Sequence, residues 1–174
     1  VDLISVPLDF GRRLDGVREI SAKTAAAAVE RLDRWGVAVL QSALPQETCR
    51  TLARALFAAI KSPTYPFGNI IKPQKRKDYP LEINSMSSPF LEEAVRLIMP
   101  ALKSAVGADA ELVELSALMS MPGASAQSFH SDATMFKKSH LQAWAKVYSV
   151  FIYLDDVDQN MAPLDLMPAT HTHY

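Results

Sequence analysis

Apolar residues recur at helical spacing in three stretches of the first 107 residues. Ser21 can cap the first helix, and Gly36 follows its last apolar residue and ends it. Pro45 and Pro89 stand in the first turns of the second and third helices, where proline is favoured. Pro100 is expected to kink the third helix or to split it in two. The predicted helices are residues 21–35, 45–62 and 88–107.

The pattern changes after Gly107, where short apolar runs replace the helical period and favour β-strands. Residues 146–154 are rich in β-branched and aromatic side chains, which is typical of a central strand. Five prolines from Pro63 to Pro89 predict a long irregular loop over residues 62–88, because helices do not run through that density. The other predicted strands are residues 37–40, 111–119, 127–136 and 164–167, with a turn at Pro122-Gly123.

Helices come first and strands afterwards, which predicts an α+β fold with the helices packed on an antiparallel sheet. The chain has 174 residues, of which 49% are hydrophobic, and this suits a single domain over residues 1–174. Its helical part is residues 1–108 and its β part residues 109–174. The net charge of −1 argues against nucleic-acid or membrane-surface binding. Cys49 is the single cysteine, so we expect a reducing, cytoplasmic setting.

Candidate chemistry lies in the stretch Gln127–Phe136, which contains His130-Ser131-Asp132. On an extended strand the side chains of His130 and Asp132 point to the same side, so an imidazole nitrogen and a carboxylate oxygen converge. They supply two of the three ligands of the facial 2-His-1-carboxylate site that suits non-haem Fe(II). A His-x-Asp triplet is also common as a surface pair or a hydrogen-bonded pair.

A basic run occupies the predicted loop, at Lys72, Lys75, Arg76 and Lys77. Such a run is commonly a solvated loop. The alternative is an anion-binding loop over an active site, in which Lys72 and Arg76 contact the substrate.

Several motifs occur in a fixed order along the chain. They are Gly36–Leu40, the helix opened by Leu44–Glu47, Gln127–Asp132, Val150–Asp158 and Ala162–His171. In this order and spacing the chain resembles the phytanoyl-CoA dioxygenase (PhyH-like) family of Fe(II)/2-oxoglutarate oxygenases. The resemblance covers about residues 35–174. It implies a double-stranded β-helix of the jelly-roll or cupin-like kind, with the N-terminal helices packed on its major sheet.

The resemblance implies that His130 and Asp132 are iron ligands, with 2-oxoglutarate and O2 as further reactants. It places Gln127 near the cosubstrate or substrate. Phe151 falls where relatives line the 2-oxoglutarate pocket, although a buried core aromatic is the alternative. His171 matches a turn histidine that is usually not an iron ligand. It is expected either to contact the substrate or to be a turn residue bonded to the backbone.

The chain also departs from the family pattern. Alanines at positions 162 and 169 replace two usual glycines, and an alanine is strained where the backbone needs a positive φ. The family's third histidine ligand and the 2-oxoglutarate-binding arginine or lysine follow this turn, whereas the chain ends at Tyr174. About five strands are predicted instead of the family's eight. We therefore expect a β-helix that lacks its last strands, or else His171 or His173 in the third ligand position.

The resulting prediction is an oxygenase that hydroxylates, desaturates or cyclises a small-molecule substrate and releases succinate and CO2. The carboxylate of Asp132 argues against halogenation, which in related enzymes needs that ligand position for chloride. Two alternatives remain open. One is a non-catalytic, oxygenase-like binding module without a complete metal site. The other is a zinc hydrolase that uses His130, Asp132 and His171.

Overall fold

The computed structural model describes residues 19–62, 70–72, 75–81, 88–130, 147–161 and 163–171. These residues form α-helices and a small antiparallel sheet, in agreement with the predicted α+β class. The predicted order of helices first and strands afterwards is wrong, because two of the three strands precede the third helix. The helices are α1 (Ala22–Trp35), α2 (Gln46–Lys61) and α3 (Ser88–Val106). The strands are β1 (Ile70–Lys72), β2 (Arg76–Pro80) and β3 (Ser116–Ser120), and one 3₁₀ turn covers Gln159–Met161.

The start of α1 is fixed by Ser21, as the sequence predicts. Its hydroxyl accepts a hydrogen bond from the backbone N–H of Thr24 at 3.2 Å, which satisfies one of the free donors of the first turn. Thr24 is itself only 2% exposed. The predicted first helix is therefore confirmed, including its cap.

The core lies between α1 and α3, and small side chains line it. Ala25 and Ala28 of α1 meet Leu97 and Ala101 of α3 in one buried cluster. Ile20 completes the cluster and donates its backbone N–H to the carbonyl of Leu97 at 3.0 Å. Because alanine has a single methyl group, the two helix backbones can approach closely. The alanine run of the sequence is thus a packing surface.

The third helix is continuous, although Pro100 lies inside it. A proline removes one backbone N–H from the helical ladder, so the sequence suggested a kink or a break. The predicted split of α3 into two helices is wrong, and the packing of α3 against α1 gives the reason. Leu97 and Ala101, on either side of the proline, are both buried against α1, so tertiary contact stabilises the helix through this point.

The three strands pair in the order β1-β2-β3, and both pairs are antiparallel. The prediction of an irregular loop over residues 62–88 is therefore wrong at residues 70–72 and 76–80. Pro73 falls between β1 and β2, and Pro80 is the last residue of β2, so neither proline interrupts a strand interior. Lys75 makes the turn with a φ of 57°, and Tyr79 is the buried residue of β2, at 3% exposure.

Other predicted strands are shorter or are not formed. Within residues 111–119 the strand begins only at Ser116, and within 37–40 there is a single bridge, at Val39. Residues 147–154 form no strand, which corrects the prediction of a central strand over residues 146–154. The short strand predicted over residues 164–167 is not formed either. Residues 127–130 are also non-regular, whereas 131–136 lie outside the described residues. β-propensity measures how well a side chain fits a pleated, half-buried surface, and Val150 and Tyr153 are 50% and 52% exposed.

The turn at residues 168–171 packs against the C-terminal end of α1. Gly36 ends the helix with a φ of 73° and donates its N–H to the Leu32 carbonyl at 2.9 Å. The carbonyl of Trp35 accepts the N–H of Ala169 at 2.8 Å. Ala169 has a φ of 64°, which confirms the expected strain at this alanine, whereas Ala162 lies outside the described residues.

The imidazole of His171 packs directly against Gly36. A Cβ atom at position 36 would lie 2.6 Å from the Cγ of His171, closer than such atoms approach in proteins. Position 36 therefore requires glycine both for its positive φ and for this contact.

Replacement of Gly36 by alanine is expected to lower the free energy of unfolding by more than the ~1–2 kcal/mol that a left-handed backbone costs alanine. The excess comes from overlap with the Cβ and the ring of His171, so it should vanish when Gly36→Ala is made in a His171→Gly background, which lacks all of these atoms. Denaturant unfolding of the four proteins measures this coupling. Gly107→Ala is the control, since a Cβ there meets nothing within 4 Å and its cost should not depend on His171. A Gly36→Ala cost that is equal in both backgrounds would contradict the contact.

Candidate metal site

His130 is held by a hydrogen bond within its own segment. Its Nδ1 lies 2.7 Å from the carbonyl oxygen of Ser128, and the side chain is exposed. A carbonyl can only accept, so Nδ1 carries the proton in this bond. The neutral imidazole then has its lone pair on Nε2. A histidine that donates one ring N–H to a backbone carbonyl and offers the other nitrogen is the usual form of a metal-ligating histidine.

The partner predicted for this histidine, Asp132, lies outside the described residues. The predicted convergence of His130 and Asp132 therefore stays a prediction. In the part of the chain that the structure describes, no three histidine, cysteine, aspartate or glutamate side chains form a group that could hold a metal ion. Gln127, three residues before His130, is exposed.

The segment that carries His130 follows a turn fixed to β2 and β3. The predicted turn at Pro122-Gly123 is confirmed, with Gly123 at a φ of 78°. The N–H of Met121 bonds to the carbonyl of Lys75 at 3.0 Å, and the N–H of Ala124 bonds to the Met121 carbonyl at 2.9 Å. Residues 121–125, here called the anchor turn, therefore begin at a defined point beside the sheet.

Arg76 on β2 forms two further hydrogen bonds at this turn. Its Nη1 donates to the Ser120 hydroxyl at 2.8 Å, and its Nη2 donates to the Ser125 carbonyl at 3.1 Å. The Nε of Arg76 is buried and has no hydrogen-bond partner among the described residues. This guanidinium is therefore hydrogen-bonded to the protein, so the interpretation of the basic run as a solvated loop does not describe Arg76.

The other residues of the basic run lie on β1 and β2 or between these two strands. Lys72 ends β1, where its backbone alone is described. Lys75 is exposed, and Lys77 on β2 is half-buried. The substrate contacts predicted for Lys72 and Arg76 stay predictions.

Phe151 is 45% exposed, so the alternative of a buried core aromatic does not describe it. Its segment touches α2 nearby, where the Cys49 thiol lies 4.0 Å from the Tyr153 carbonyl. A role for Phe151 in a cosubstrate pocket stays a prediction.

His171 lies at the C-terminal end of α1. Its Nε2 is 3.1 Å from the Asp33 carbonyl, so this nitrogen donates and the lone pair is on Nδ1. Nδ1 is buried without a hydrogen-bond partner among the described residues. The structure agrees with the alternative in which His171 is bonded to the backbone, and a substrate contact stays a prediction. His173 lies outside the described residues.

Sequence reasoning missed the polar contacts that place these groups. The Ser128 carbonyl and the Ser125 carbonyl are backbone atoms, and a sequence pattern does not report which side chain they meet. The contact of Gly36 with His171 joins residues far apart in sequence. The glycine itself was a usable signal, although it indicated only the end of a helix.

The model of the phytanoyl-CoA dioxygenase (PhyH) family matches residues 32–174, which is most of the chain. No curated protein and no solved structure matches it. The chain therefore belongs to the phytanoyl-CoA dioxygenase family, as the motifs predicted. Family membership implies a cupin-like fold and supports a dioxygenase class of protein, whereas the described residues form a three-stranded sheet and do not confirm a double-stranded β-helix. No helix among the described residues is long and apolar enough to cross a membrane.

Burial raises the pKa of the Cys49 thiol, and a backbone hydrogen bond partly offsets the rise. The carboxylates of Asp156 and Asp155 raise the pKa further, because negative charges nearby disfavour the thiolate. Cys49 is therefore protonated at neutral pH and is a poor nucleophile there.

Alkylation of Cys49 by iodoacetamide is expected to be slower at pH 7.5 than alkylation of a cysteine in an unfolded peptide, and to accelerate at higher pH than in the peptide. Asp156→Asn should move the midpoint of this rate profile to lower pH, because it removes one charge that opposes the thiolate. Asp158→Asn is the matched control and should leave the profile in place. A midpoint at or below that of the peptide would contradict the assignment.

Proposed function

We propose that this protein is an Fe(II)- and 2-oxoglutarate-dependent oxygenase that acts on a small-molecule substrate. The single observation that carries the proposal is the hydrogen bond from His130 Nδ1 to the Ser128 carbonyl. In the neutral ring this bond leaves the lone pair on Nε2, and a metal ligand needs one such unprotonated nitrogen. Membership of the phytanoyl-CoA dioxygenase family supports the same chemistry.

In this proposal His130 and Asp132 hold the iron. An imidazole nitrogen and a carboxylate oxygen suit Fe(II) in a site with open positions. Iron, when bound, would supply the activation of O2 that couples conversion of 2-oxoglutarate to succinate and CO2 with oxidation of a substrate C–H bond. The protein's own residues bind and orient the other reactants. Gln127 and Phe151 contact the cosubstrate, and His171 and Lys72 contact the substrate. Arg76, which the sequence also assigned to the substrate, bonds to Ser120 and Ser125 and is given a different role below.

The proposal includes the finer architecture of a double-stranded β-helix within a single domain over residues 1–174. The described part of the chain supports it through the antiparallel strands that precede His130. β3 leads directly into the anchor turn and from there into the histidine segment. When a ligand residue follows closely after a paired strand, the sheet fixes the point at which its segment begins. We also propose a cytoplasmic location and a small-molecule partner.

The function is tested by replacing both proposed ligands. The protein in its full natural length is expected to convert 2-oxoglutarate to succinate in the presence of Fe(II) and O2, and His130→Ala with Asp132→Ala should abolish this conversion. Loss of a metal ligand removes the bound metal and with it the turnover. Succinate is measured by mass spectrometry. His140→Ala, a histidine with no assigned role, is the control and should retain turnover.

Three results would contradict the proposal. Turnover that survives the double substitution would remove His130 and Asp132 from the site. Stoichiometric zinc without binding of 2-oxoglutarate would instead support the hydrolase, and a folded protein that binds neither metal nor 2-oxoglutarate would support the non-catalytic module.

A further inference from the structure

Arg76 is bonded at both ends of the link between β3 and the histidine segment. Nη1 contacts Ser120, the last residue of β3, and Nη2 contacts the backbone of Ser125, the last residue of the anchor turn. The planar guanidinium presents both N–H groups in one rigid fork. It therefore fixes the separation between the strand end and the start of the segment that leads to His130.

Apolar burial does not fix that segment. Every side chain from Ser125 to His130 is exposed, so packing contributes little to its position. Four residues lie between Ser125 and His130, and the five Cα–Cα steps can span about 17 Å when extended. If the N–H of Met121 alone held the anchor turn, a longer stretch of chain would separate that fixed point from His130. The Arg76 bonds move the fixed point to Ser125.

We propose that Arg76 is a positioning residue for the iron ligand His130. Its guanidinium holds the anchor turn against β2, and the anchor turn in turn sets the point from which the histidine segment extends. This inference rests on the proposed function, because it assigns a ligand role to His130. It differs from a substrate contact at Arg76, because it acts on metal binding through the protein.

The test separates the two Arg76 bonds by matched serine substitutions. Ser120→Ala removes the hydroxyl that Nη1 contacts. Ser125→Ala makes the same chemical change but keeps the backbone carbonyl that Nη2 contacts. Arg76→Lys keeps the charge and loses the fork. For each full-length variant the Kd for Fe(II) is measured anaerobically by calorimetry, together with the Tm and the KM of the substrate at saturating Fe(II).

The proposal predicts that Arg76→Lys weakens Fe(II) binding by about tenfold, at the low end of the effect of groups that orient metal ligands. Ser120→Ala should weaken it by a few-fold, and Ser125→Ala should match the wild type. The effect of Ser120→Ala should disappear in the Arg76→Lys background, because both changes remove the same bond. The substrate KM at saturating Fe(II) should stay unchanged.

Three outcomes would overturn the inference alone, and a fourth would overturn the proposed function with it. A raised substrate KM in Arg76→Lys with an unchanged Kd for Fe(II) would make Arg76 a substrate contact. A lowered Tm with unchanged Kd and KM would make it a purely structural residue. Equal effects of Ser120→Ala and Ser125→Ala would exclude the Nη1 bond as the cause. Failure of the wild-type protein itself to bind Fe(II) would overturn the proposed function as well.

Discussion

The close contact between α1 and α3 is the constraint on which the rest of the described structure depends. Ala25, Ala28 and Ala101 contribute only methyl groups to this interface, so the helices meet with little side-chain material between them. A larger residue at these positions would separate the helices, because a packed interface has no space for added methylenes. The same contact keeps α3 continuous through Pro100, whereas Gly36 sets where α1 ends. That end is the surface on which Gly36 receives the turn of residues 168–171.

Hydrogen bonds, more than apolar burial, position the side chains of the candidate site. His130 and His171 illustrate this, because each ring bonds to a backbone carbonyl but through a different nitrogen. His130 donates from Nδ1, which leaves Nε2 as the basic nitrogen. His171 donates from Nε2 at the end of α1, where carbonyl groups without helical partners need donors. The two histidines that the motifs selected therefore differ chemically. His130 suits a metal, whereas His171 joins two parts of the chain.

The sequence predicted the helices well, because helical periodicity and caps such as Ser21 are local signals. It predicted the later strands poorly, because residues such as those at 147–154 become a strand only when another strand pairs with them. Proline density led to the opposite error, since a strand forms at residues 76–80 with Pro80 as its last residue. For the site, motif order identified the family and His130. The roles of Ser128 and Arg76 depend on backbone atoms brought together by folding, and no local pattern encodes them.

The central claim is that His130 offers Nε2 to a metal ion. Long-range ¹H–¹⁵N NMR correlation of the histidine side chains tests it directly, because the two neutral tautomers give different nitrogen shifts. The account predicts the Nδ1–H tautomer for His130 and the Nε2–H tautomer for His171 in the metal-free protein. Addition of Zn(II), a diamagnetic substitute for Fe(II), should then shift the Nε2 signal of His130 and leave that of His171 unchanged. An Nε2–H tautomer at His130, or no response to the metal, would contradict the account.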